Sequence, residues 1–433
     1  MPLKLSDYEK DMLLGKYGEM KRAALEKICR FAEVLDVDEL CEVEYSTVFA
    51  GSHSYLDVCG SEDPAENFSI MNMQKKDVIR LDSFAPTCVV HSCVEPFDPQ
   101  KTEAVGISEK DRAKNERFMD YLMKAGLIRT ASCAPYLNGW IPLKGQHFVT
   151  TESSNVLLCN SLFGAMGSAD GIESCFWASI SGRTPKYGRH NPANRLGNVR
   201  VKVEAELDTA EKWDLLGYVL GKNAPKASTP VMIGDFSHMD LYKFKYFCAS
   251  CAVESDLDLV HFVGKTPEAL TEEMAFGGNE PTEELTITEA DLAEAREFLC
   301  CQTPGSVEYV ALGCPHFSIF EIQKVAEMLK GQKLAPGVHL HIWTNRAMKH
   351  LADINGYDAI ITEAGAELMT SHCPYGIFEY KEARDLLLKP KGGAAYGSIK
   401  LAANLPAVYD PSIRTYYGST EKCIEAAISG YWR

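Results

Sequence analysis

A cysteine between a predicted strand and a predicted helix is the residue of this chain best suited to bind a metal. Residues 307–311 form a strand-like run, and Leu312-Gly313-Cys314-Pro315-His316 follows it. Because proline suits the first helical position, the pattern predicts Cys314 at the N-cap of the next helix. Unpaired N–H groups at a helix start favour a negative sulfur, so the sequence predicts a metal-binding thiolate at Cys314.

Two further cysteines could complete a metal site with Cys314. Cys373 also precedes a proline, and Cys423 lies near the end of the chain. Three thiolates are the ligand set for an iron–sulfur cluster with one open iron. The alternative is that Cys314 is a small buried core residue, because such cysteines are common after strands. The three cysteines form no local motif, so their spacing alone does not decide between these interpretations.

Other cysteine groups support metal chemistry less well. Cys248 and Cys251 fall inside a helix predicted over 241–254, where core packing is the favoured interpretation. Cys88, His91 and Cys93 provide three zinc ligands without a second pair. The sequence contains no Walker loop, Gly-x-Gly-x-x-Gly after a strand, Gly-x-Ser-x-Gly or His-Glu-x-x-His. Nucleotide chemistry, serine hydrolysis and zincin proteolysis therefore lack their usual motifs.

Polar loops between residues 131 and 200 indicate a binding site for an anionic group. Amides, hydroxyls and a guanidinium recur at 151–155, 160–161 and 182–188, with Arg183 able to make a bidentate contact. A hydrogen-bonded loop network without a ligand is the alternative.

Charge and hydropathy exclude several classes of partner. The 433-residue chain carries a net charge of −16 and has no basic stripe, which argues against nucleic acid. It begins without the cationic flank and apolar stretch of a signal peptide, and no apolar run is long enough to cross a membrane. We therefore expect a soluble, cytoplasmic protein whose fifteen cysteines are reduced.

Alternating strands and helices in the last third predict a parallel sheet covered on both faces. The predicted strands are 307–313, 338–343 and 358–362, with helices at 317–330 and from Asn345. Ligands of such sheets sit beyond the carboxyl ends of the strands, where Cys314, Thr344, Thr362 and Glu363 fall. A glycine- and proline-containing break near residue 280 predicts two regions, 1–280 and 281–433, the second carrying the cluster cysteines.

Several strings along nearly the whole chain closely resemble the aconitase X family, specifically its large or catalytic subunit. The matching strings are Ser52-His53 with Tyr55, Cys133-Ala134-Pro135-Tyr136, Glu152-Ser153-x-Asn155, Asn160-Ser161-x-x-Gly164-Ala165, Gly182-Arg183-Thr184-Pro185-x-Tyr187-Gly188, His261-Phe262-Val263-Gly264-Lys265-Thr266-Pro267-Glu268-Ala269, Gly313-Cys314-Pro315-His316, and Cys423-x-x-Ala426-Ala427-x-x-Gly430-x-Trp432.

The resemblance implies an α/β fold of aconitase-like α/β/α units whose parallel sheets surround a central cluster site. It implies an iron–sulfur hydro-lyase that dehydrates a small 3-hydroxy acid. The first substrate candidate is cis-3-hydroxy-L-proline and the second is mevalonate 5-phosphate. The resemblance does not distinguish a [2Fe–2S], [3Fe–4S] or [4Fe–4S] cluster. A homologue that binds a hydroxy acid without catalysis is the rival hypothesis.

Roles for individual residues also follow from the resemblance. The candidate ligands are Cys314, Cys373 and Cys423, with Cys133 in reserve. The catalytic candidates are Ser52, His53, Glu152, Lys245 and His316. The substrate-binding candidates are Ser153, Asn155, Asn160, Arg183 and Lys400, with Arg183 and Lys245 preferred for anionic groups.

A missing segment predicts a partner. The family's catalytic-base serine belongs to a small swivelling domain, which is fused in some members and separate in others, and no segment here resembles it. We therefore expect a small-subunit partner. The stretch 85–93 and the helix around Lys245 depart from the family pattern, which leaves the substrate open.

Overall fold

The computed structural model describes residues 3–48, 61–71, 80–85, 88–90, 95, 97–372, 374–377, 381, 383, 387, 392–409 and 412–433. The candidates Ser52, His53 and Cys373, and the ligands His91 and Cys93, lie outside the described residues. Within these ranges no helix combines the length and the apolar character needed to span a membrane.

The first unit of the chain surrounds a small parallel sheet. Its strands are β1 Leu40–Glu42, β2 Tyr45–Val48, β3 Cys88–Val90, β4 Phe148–Val149 and β5 Arg183–Pro185. Strands β3, β2 and β4 pair in that order and run parallel, while β1 and β5 form a separate antiparallel pair. The helices are α1 Asp7–Leu13, α2 Glu19–Val34, α3 Pro64–Met71, α4 Glu109–Lys124, α5 Ser153–Leu158 and α6 Ile172–Ser181.

The second unit contains a four-stranded parallel sheet with the order β8-β7-β6-β9. Its strands are β6 Val199–Val203, β7 Pro230–Ile233, β8 His261–Phe262 and β9 Glu283–Ile287, and its helices are α7 Ala210–Asn223, α8 Leu241–Glu254, α9 Glu272–Phe276 and α10 Glu289–Leu299. Since β9 pairs with β6, the boundary predicted near residue 280 falls inside this sheet. The break at Gly277 and Gly278 is a connection between α9 and β9.

Helices α7 and α8 pack closely because Gly217 has no side chain. A Cβ atom at this position would lie 2.3 Å from the carbonyl oxygen of Phe247. The close packing fixes α8, whose predicted bounds of 241–254 agree with the structure. This helix carries Lys245 toward the third unit.

The third unit confirms the predicted parallel sheet. Strands β10 Gly305–Leu312, β11 His339–Trp343, β12 Glu367–Met369, β13 Gly393–Tyr396 and β14 Arg414–Tyr417 pair in the order β12-β11-β10-β13-β14, with β15 Tyr431–Trp432 antiparallel to the start of β10. The helices are α11 Ile319–Leu329, α12 Arg346–Ile354, α13 Tyr357–Ala364, α14 Pro374–Ile377, α15 Ile399–Tyr409 and α16 Thr420–Ser429.

The strand predicted over 358–362 is wrong, because these residues form α13. Ile361 and Ala364 share one buried helical face, and positive-φ glycines at 356 and 365 flank the helix. Thr362 and Glu363 therefore do not lie at the carboxyl end of a strand. That position belongs to residues 370–372, which follow β12.

The predicted N-cap at Cys314 is also wrong. Helix α11 begins at Ile319, because Ser318 and Glu321 form a capping box there. Cys314 instead lies in the bend that follows β10. Gly313, with φ of 90°, permits this bend, since a Cβ there would meet the carbonyl oxygen of Trp343 at 2.1 Å.

Candidate active site

The structure brings Cys133, the reserve ligand, to the Cys314 loop. The backbone N–H of His316 donates to the Cys133 Sγ over 3.4 Å. Burial raises the pKa of the Cys314 thiol to about 11. Burial, followed by the charges of Glu152 and Cys314, also raises the pKa of Cys133. Without a bound metal ion, both side chains are therefore thiols at neutral pH.

His316 joins three loops at this site. Its side chain is fully buried, and its Nδ1 lies 3.2 Å from the Ser132 hydroxyl. Its Nε2 lies 3.2 Å from the carbonyl oxygen of His372. Ser132 precedes Cys133 and His372 precedes Cys373 in the sequence, so one imidazole holds the chain next to both cysteines. This contact pattern makes His316 a positioning residue for the loops.

Lys245 is the buried cation that fixes the Cys314 loop. Its ammonium donates to the Glu321 carboxylate at 2.7 Å and to the His316 carbonyl oxygen at 2.8 Å. The carbonyl oxygen of Pro315 lies 3.4 Å away. Because these partners occupy the ammonium, Lys245 holds the loop in this structure and is not free to bind a substrate anion.

We expect Lys245→Met to destabilise the chain by about 3–5 kcal/mol, because it removes the cation paired with Glu321 and the donor to two carbonyl oxygens. The measurement is the free energy of unfolding in urea. Lys243→Met is the matched control on the same helix, since Lys243 is bound at the surface to Asp240, and we expect a cost below about 1 kcal/mol. Equal losses for the two variants would contradict this assignment.

Glu152 and Lys400 form an ion pair beside the two thiols. Glu152 precedes α5, Lys400 is the second residue of α15, and the Lys400 ammonium donates to the Glu152 carboxylate. Burial alone would lower the pKa of Lys400, but the charges of Glu152 and Cys314 outweigh it and raise that pKa. Lys400 therefore stays cationic through neutral pH.

Asn155 provides an amide ready to bind a ligand. Its side chain is fully buried, and neither its Oδ1 nor its Nδ2 has a hydrogen-bond partner among the described residues. The buried Oγ1 of Thr151 is unpartnered in the same sense. Buried polar atoms are nearly always paired, so these groups indicate a bound polar molecule or a contact from elsewhere in the protein. Ser153, two residues before Asn155, is exposed.

Two of the substrate-binding candidates make structural contacts instead. Arg183 donates through Nε to Glu9 at 2.8 Å and stacks over the Tyr8 ring, which ties β5 to α1. The Asn160 amide bonds to the carbonyl oxygens of Gly167 and Asp258, each at 2.7 Å. No described contact joins either residue to Cys314.

Cys423 lies in the hydrophobic core around α16. Its Sγ is fully buried and lies 3.8 Å from the Gly418 carbonyl oxygen. Among the described residues no contact joins it to Cys133 or Cys314. The structure thus groups Cys314 with Cys133 and places Cys423 in a different cluster of side chains.

Asp214 is a site residue that the sequence reasoning missed. It is buried in α7, and its Oδ2 accepts the Ile399 N–H at 2.8 Å and the Tyr417 hydroxyl at 3.1 Å. Ile399 begins the helix that carries Lys400, so Asp214 fixes the start of that helix. An acid within the apolar stretch Trp213–Leu216 was the available signal.

Asp214 also predicts a pH dependence of stability. Burial raises its pKa from 3.8 to about 8. Between these values the folded chain holds a proton that the unfolded chain releases, so the stabilisation is complete below about pH 4 and is lost as pH rises through about 8. We expect wild type to lose on the order of 3 kcal/mol relative to Asp214→Asn between about pH 5 and about pH 8. Urea unfolding at both pH values measures this, and parallel curves would contradict it.

A cavity of about 520 Å³ opens at the carboxyl ends of β13 and β14. It lies between this sheet and helices α7 and α8, and Asp214 and Glu321 form part of its wall. Its lining includes six acidic side chains, of which Asp214 keeps its proton at neutral pH, and two lysines, each paired with an acid. This charge disfavours a phosphate group in the cavity.

Known proteins identify the fold and the family. The first, second and third domains described for aconitase X match residues 2–193, 197–297 and 307–429 of this chain. The chain belongs to the aconitase X family. A crystal structure of Thermococcus kodakaraensis aconitase X in its holo-form superposes with a TM-score of 0.78 at 23% identity, covering 98% of this chain and all of that one.

Curated relatives of this aconitase X chain are dehydratases. The phosphomevalonate dehydratase large subunit of Methanothermobacter thermautotrophicus is 28% identical over 84% of this chain and 86% of its own length. The cis-3-hydroxy-L-proline dehydratase of Hypocrea jecorina is 26% identical over the whole of this chain but only 70% of its own length. The enzyme of the same name from Pseudomonas aeruginosa is 27% identical over 99% of this chain and 70% of its own length. The chain is a hydro-lyase, and membership of an aconitase-related family indicates an iron–sulfur cofactor.

Proposed function

We propose that this chain is the large subunit of an iron–sulfur hydro-lyase that dehydrates cis-3-hydroxy-L-proline. The observation that carries the proposal is the meeting of Cys133 and Cys314 beside the Glu152–Lys400 ion pair. Thiols, a carboxylate and an ammonium converge there from loops of different units, as a metal-assisted removal of water requires.

The donor set around Cys314 fits an iron–sulfur cluster. We assign Cys133, Cys314 and Cys373 as its ligands. Cys373 is included because it directly follows His372, whose carbonyl oxygen contacts His316. Coordination deprotonates such thiols, so their raised pKa values do not oppose binding. The His316 N–H on Cys133 provides the hydrogen bond to sulfur that tunes cluster potentials. When bound, a cluster with an open iron supplies a Lewis acid for the departing hydroxyl.

The chain's own residues bind and orient the substrate. The Lys400 ammonium binds the substrate carboxylate, and the Asn155 amide forms hydrogen bonds with a second polar group of the substrate. The Glu152 carboxylate accepts a proton from a group bound beside Lys400. Lys245 and His316 keep the loops in place. Ser52 and His53 remain candidates for the same site.

A small subunit completes the proposed enzyme. Several relatives are named as large subunits, and this chain covers 86–99% of the length of three of them. The hydroxyproline dehydratases are longer than this chain, which covers only 70% of each. We assign the catalytic-base serine to that partner.

The charge of the described site favours an amino acid substrate. Lys400 and Lys245 are the cations near Cys314 within the described ranges, and each is already paired with a carboxylate. A paired site suits a zwitterion, whereas a phosphate and a carboxylate together require surplus positive charge. Mevalonate 5-phosphate is the second substrate candidate. It is favoured because relatives named phosphomevalonate dehydratase large subunit match this chain over most of their length.

The test is an anaerobic assay of the reconstituted chain with its small subunit on both compounds. We expect cis-3-hydroxy-L-proline to lose water and mevalonate 5-phosphate not to do so, and proton NMR monitors both reactions. The reverse result would overturn the substrate assignment and keep the hydro-lyase. Turnover of neither compound by a cluster-loaded complex would reject both substrates.

A further inference from the structure

Three ligand-type side chains meet in the first unit, away from the candidate active site. One ligand atom each from Cys41, His147 and His190 lies within 4.8 Å of the other two. Cys41 is the central residue of β1, His147 immediately precedes β4, and His190 ends the 3₁₀ turn at 188–190. The group therefore joins three segments that are distant in sequence.

The spacing of the ring nitrogens suits a tetrahedral metal. The Nδ1 atoms of His147 and His190 are 3.1 Å apart. Two imidazole nitrogens bound to zinc at about 2.0–2.1 Å lie about 3.3 Å apart in a tetrahedral site. Cys41 needs a shift of about 1 Å at most, because a sulfur bound at about 2.3 Å lies about 3.6 Å from each nitrogen.

Unpartnered buried atoms show that the group is incomplete as a hydrogen-bond network. His190 is fully buried, and its Nε2 has no partner among the described residues. Thr184, which is directly opposite Cys41 in the β1–β5 pair, has a buried Oγ1 that is likewise unpartnered. These atoms are not the Nδ1 donors proposed for the metal, and leaving them unpaired is costly, so they indicate a further polar group beside the site.

The protonation states suit metal binding. Burial lowers the pKa of His190 to about 3 and lowers that of His147 as well. Both rings are therefore neutral and retain lone pairs for a metal. Burial raises the pKa of the Cys41 thiol to about 12, so binding must release its proton.

The surrounding charges allow a divalent cation. The Glu44 carboxylate accepts the backbone N–H of His147 at 2.6 Å and lies near Cys41. Together with a Cys41 thiolate it neutralises two positive charges. Lys186 and Arg195 also face the group, but they are engaged by Glu39 at 2.7 Å and by Glu268 at 2.6 Å respectively.

We propose that Cys41, His147 and His190 bind a zinc-type divalent ion that fastens β1, β4 and the 188–190 turn. A thiolate with two imidazoles is a zinc-type donor set, unlike the oxygen ligands that magnesium and calcium require. The group shares no residue with the candidate active site. Among the described contacts none connects the group to Cys133 or Cys314.

Cobalt(II) is the probe that tests this site. The full chain with Cys133, Cys314 and Cys373 all replaced by serine cannot bind cobalt through the proposed cluster ligands. We expect it to bind one equivalent with a thiolate-to-cobalt charge-transfer band, and zinc to displace the cobalt. Cys41→Ser in this background should remove the band, and His190→Asn should weaken binding at least about tenfold.

Cys29→Ser and His350→Asn are the matched controls, since neither residue belongs to the group, and both should keep the band. Circular dichroism checks that each variant is folded. No cobalt binding by the folded background chain would overturn the proposal, as would a charge-transfer band that survives Cys41→Ser.

Discussion

Replacing Cys314 with serine is expected to lower kcat/KM for dehydration by at least about a thousandfold, because losing a Lewis acid worth several kcal/mol has that effect. The same variant should lose the visible absorbance of the reconstituted cluster. Cys133→Ser should behave in the same way, since the Cys133 Sγ accepts the backbone N–H of His316, two residues after Cys314. Anaerobic turnover and iron content per chain are the measurements.

Cysteines outside the proposed ligand set provide the comparison. Cys300→Ser is the control for cysteine replacement as such, because Cys300 lies with Cys423 near α16. Cys423→Ala distinguishes the two possible ligand sets, and we expect it to keep its iron. Iron lost from Cys423→Ala and retained by Cys133→Ser would contradict the assignment and restore the set predicted from sequence.

Breaking the Glu152–Lys400 pair is expected to have the second largest effect. Lys400→Met should reduce kcat/KM by about 10²–10³-fold, because it removes the carboxylate-binding charge and leaves Glu152 without its partner. Glu152→Gln should cost about 10²–10⁴-fold in kcat if its carboxylate moves a proton. Steady-state kinetics on the reconstituted complex measure both.

A double-mutant cycle separates this role from general damage. The paired variant should lose less than the sum of the single losses in free energy, with a coupling of at least about 1 kcal/mol. Lys101→Met is the matched control, because Lys101 is bound to Glu367 at the amino end of β12, away from the carboxyl ends of the strands. Additive losses, or an equal loss for Lys101→Met, would contradict a shared role at the site.

Local patterns in the sequence predicted the elements that depend on neighbouring residues. The period of α8 and the alternation in the third unit are local, and the structure confirms them. The amphipathic pattern over residues 6–35 predicts one helix, whereas positive φ at Gly15 and Gly18 divides it in two. Residues 359–361 are an apolar run that fits a short strand as well as α13, so only packing decides.

The site depended on contacts that sequence spacing does not encode. Cys133 lies beside the Cys314 loop because its Sγ accepts the backbone N–H of His316, which is 183 positions away in the sequence. Arg183 carries the charge expected of an anion ligand, yet its partner is Glu9 on α1. Asp214 had no motif, because its role follows from where Ile399 and Tyr417 pack. Residue type therefore indicated the chemistry, and the tertiary fold determined which groups meet.

An iron titration of the complex with its small subunit tests whether the cluster proposed at Cys314 supports dehydration. The apo complex is prepared with a chelator, iron and sulfide are added anaerobically, and turnover is measured against bound iron per chain. We expect no turnover without iron, and a rise in turnover in proportion to bound cluster that is absent from Cys314→Ser. Full turnover by the iron-free complex, or an unchanged titration in Cys314→Ser, would contradict it.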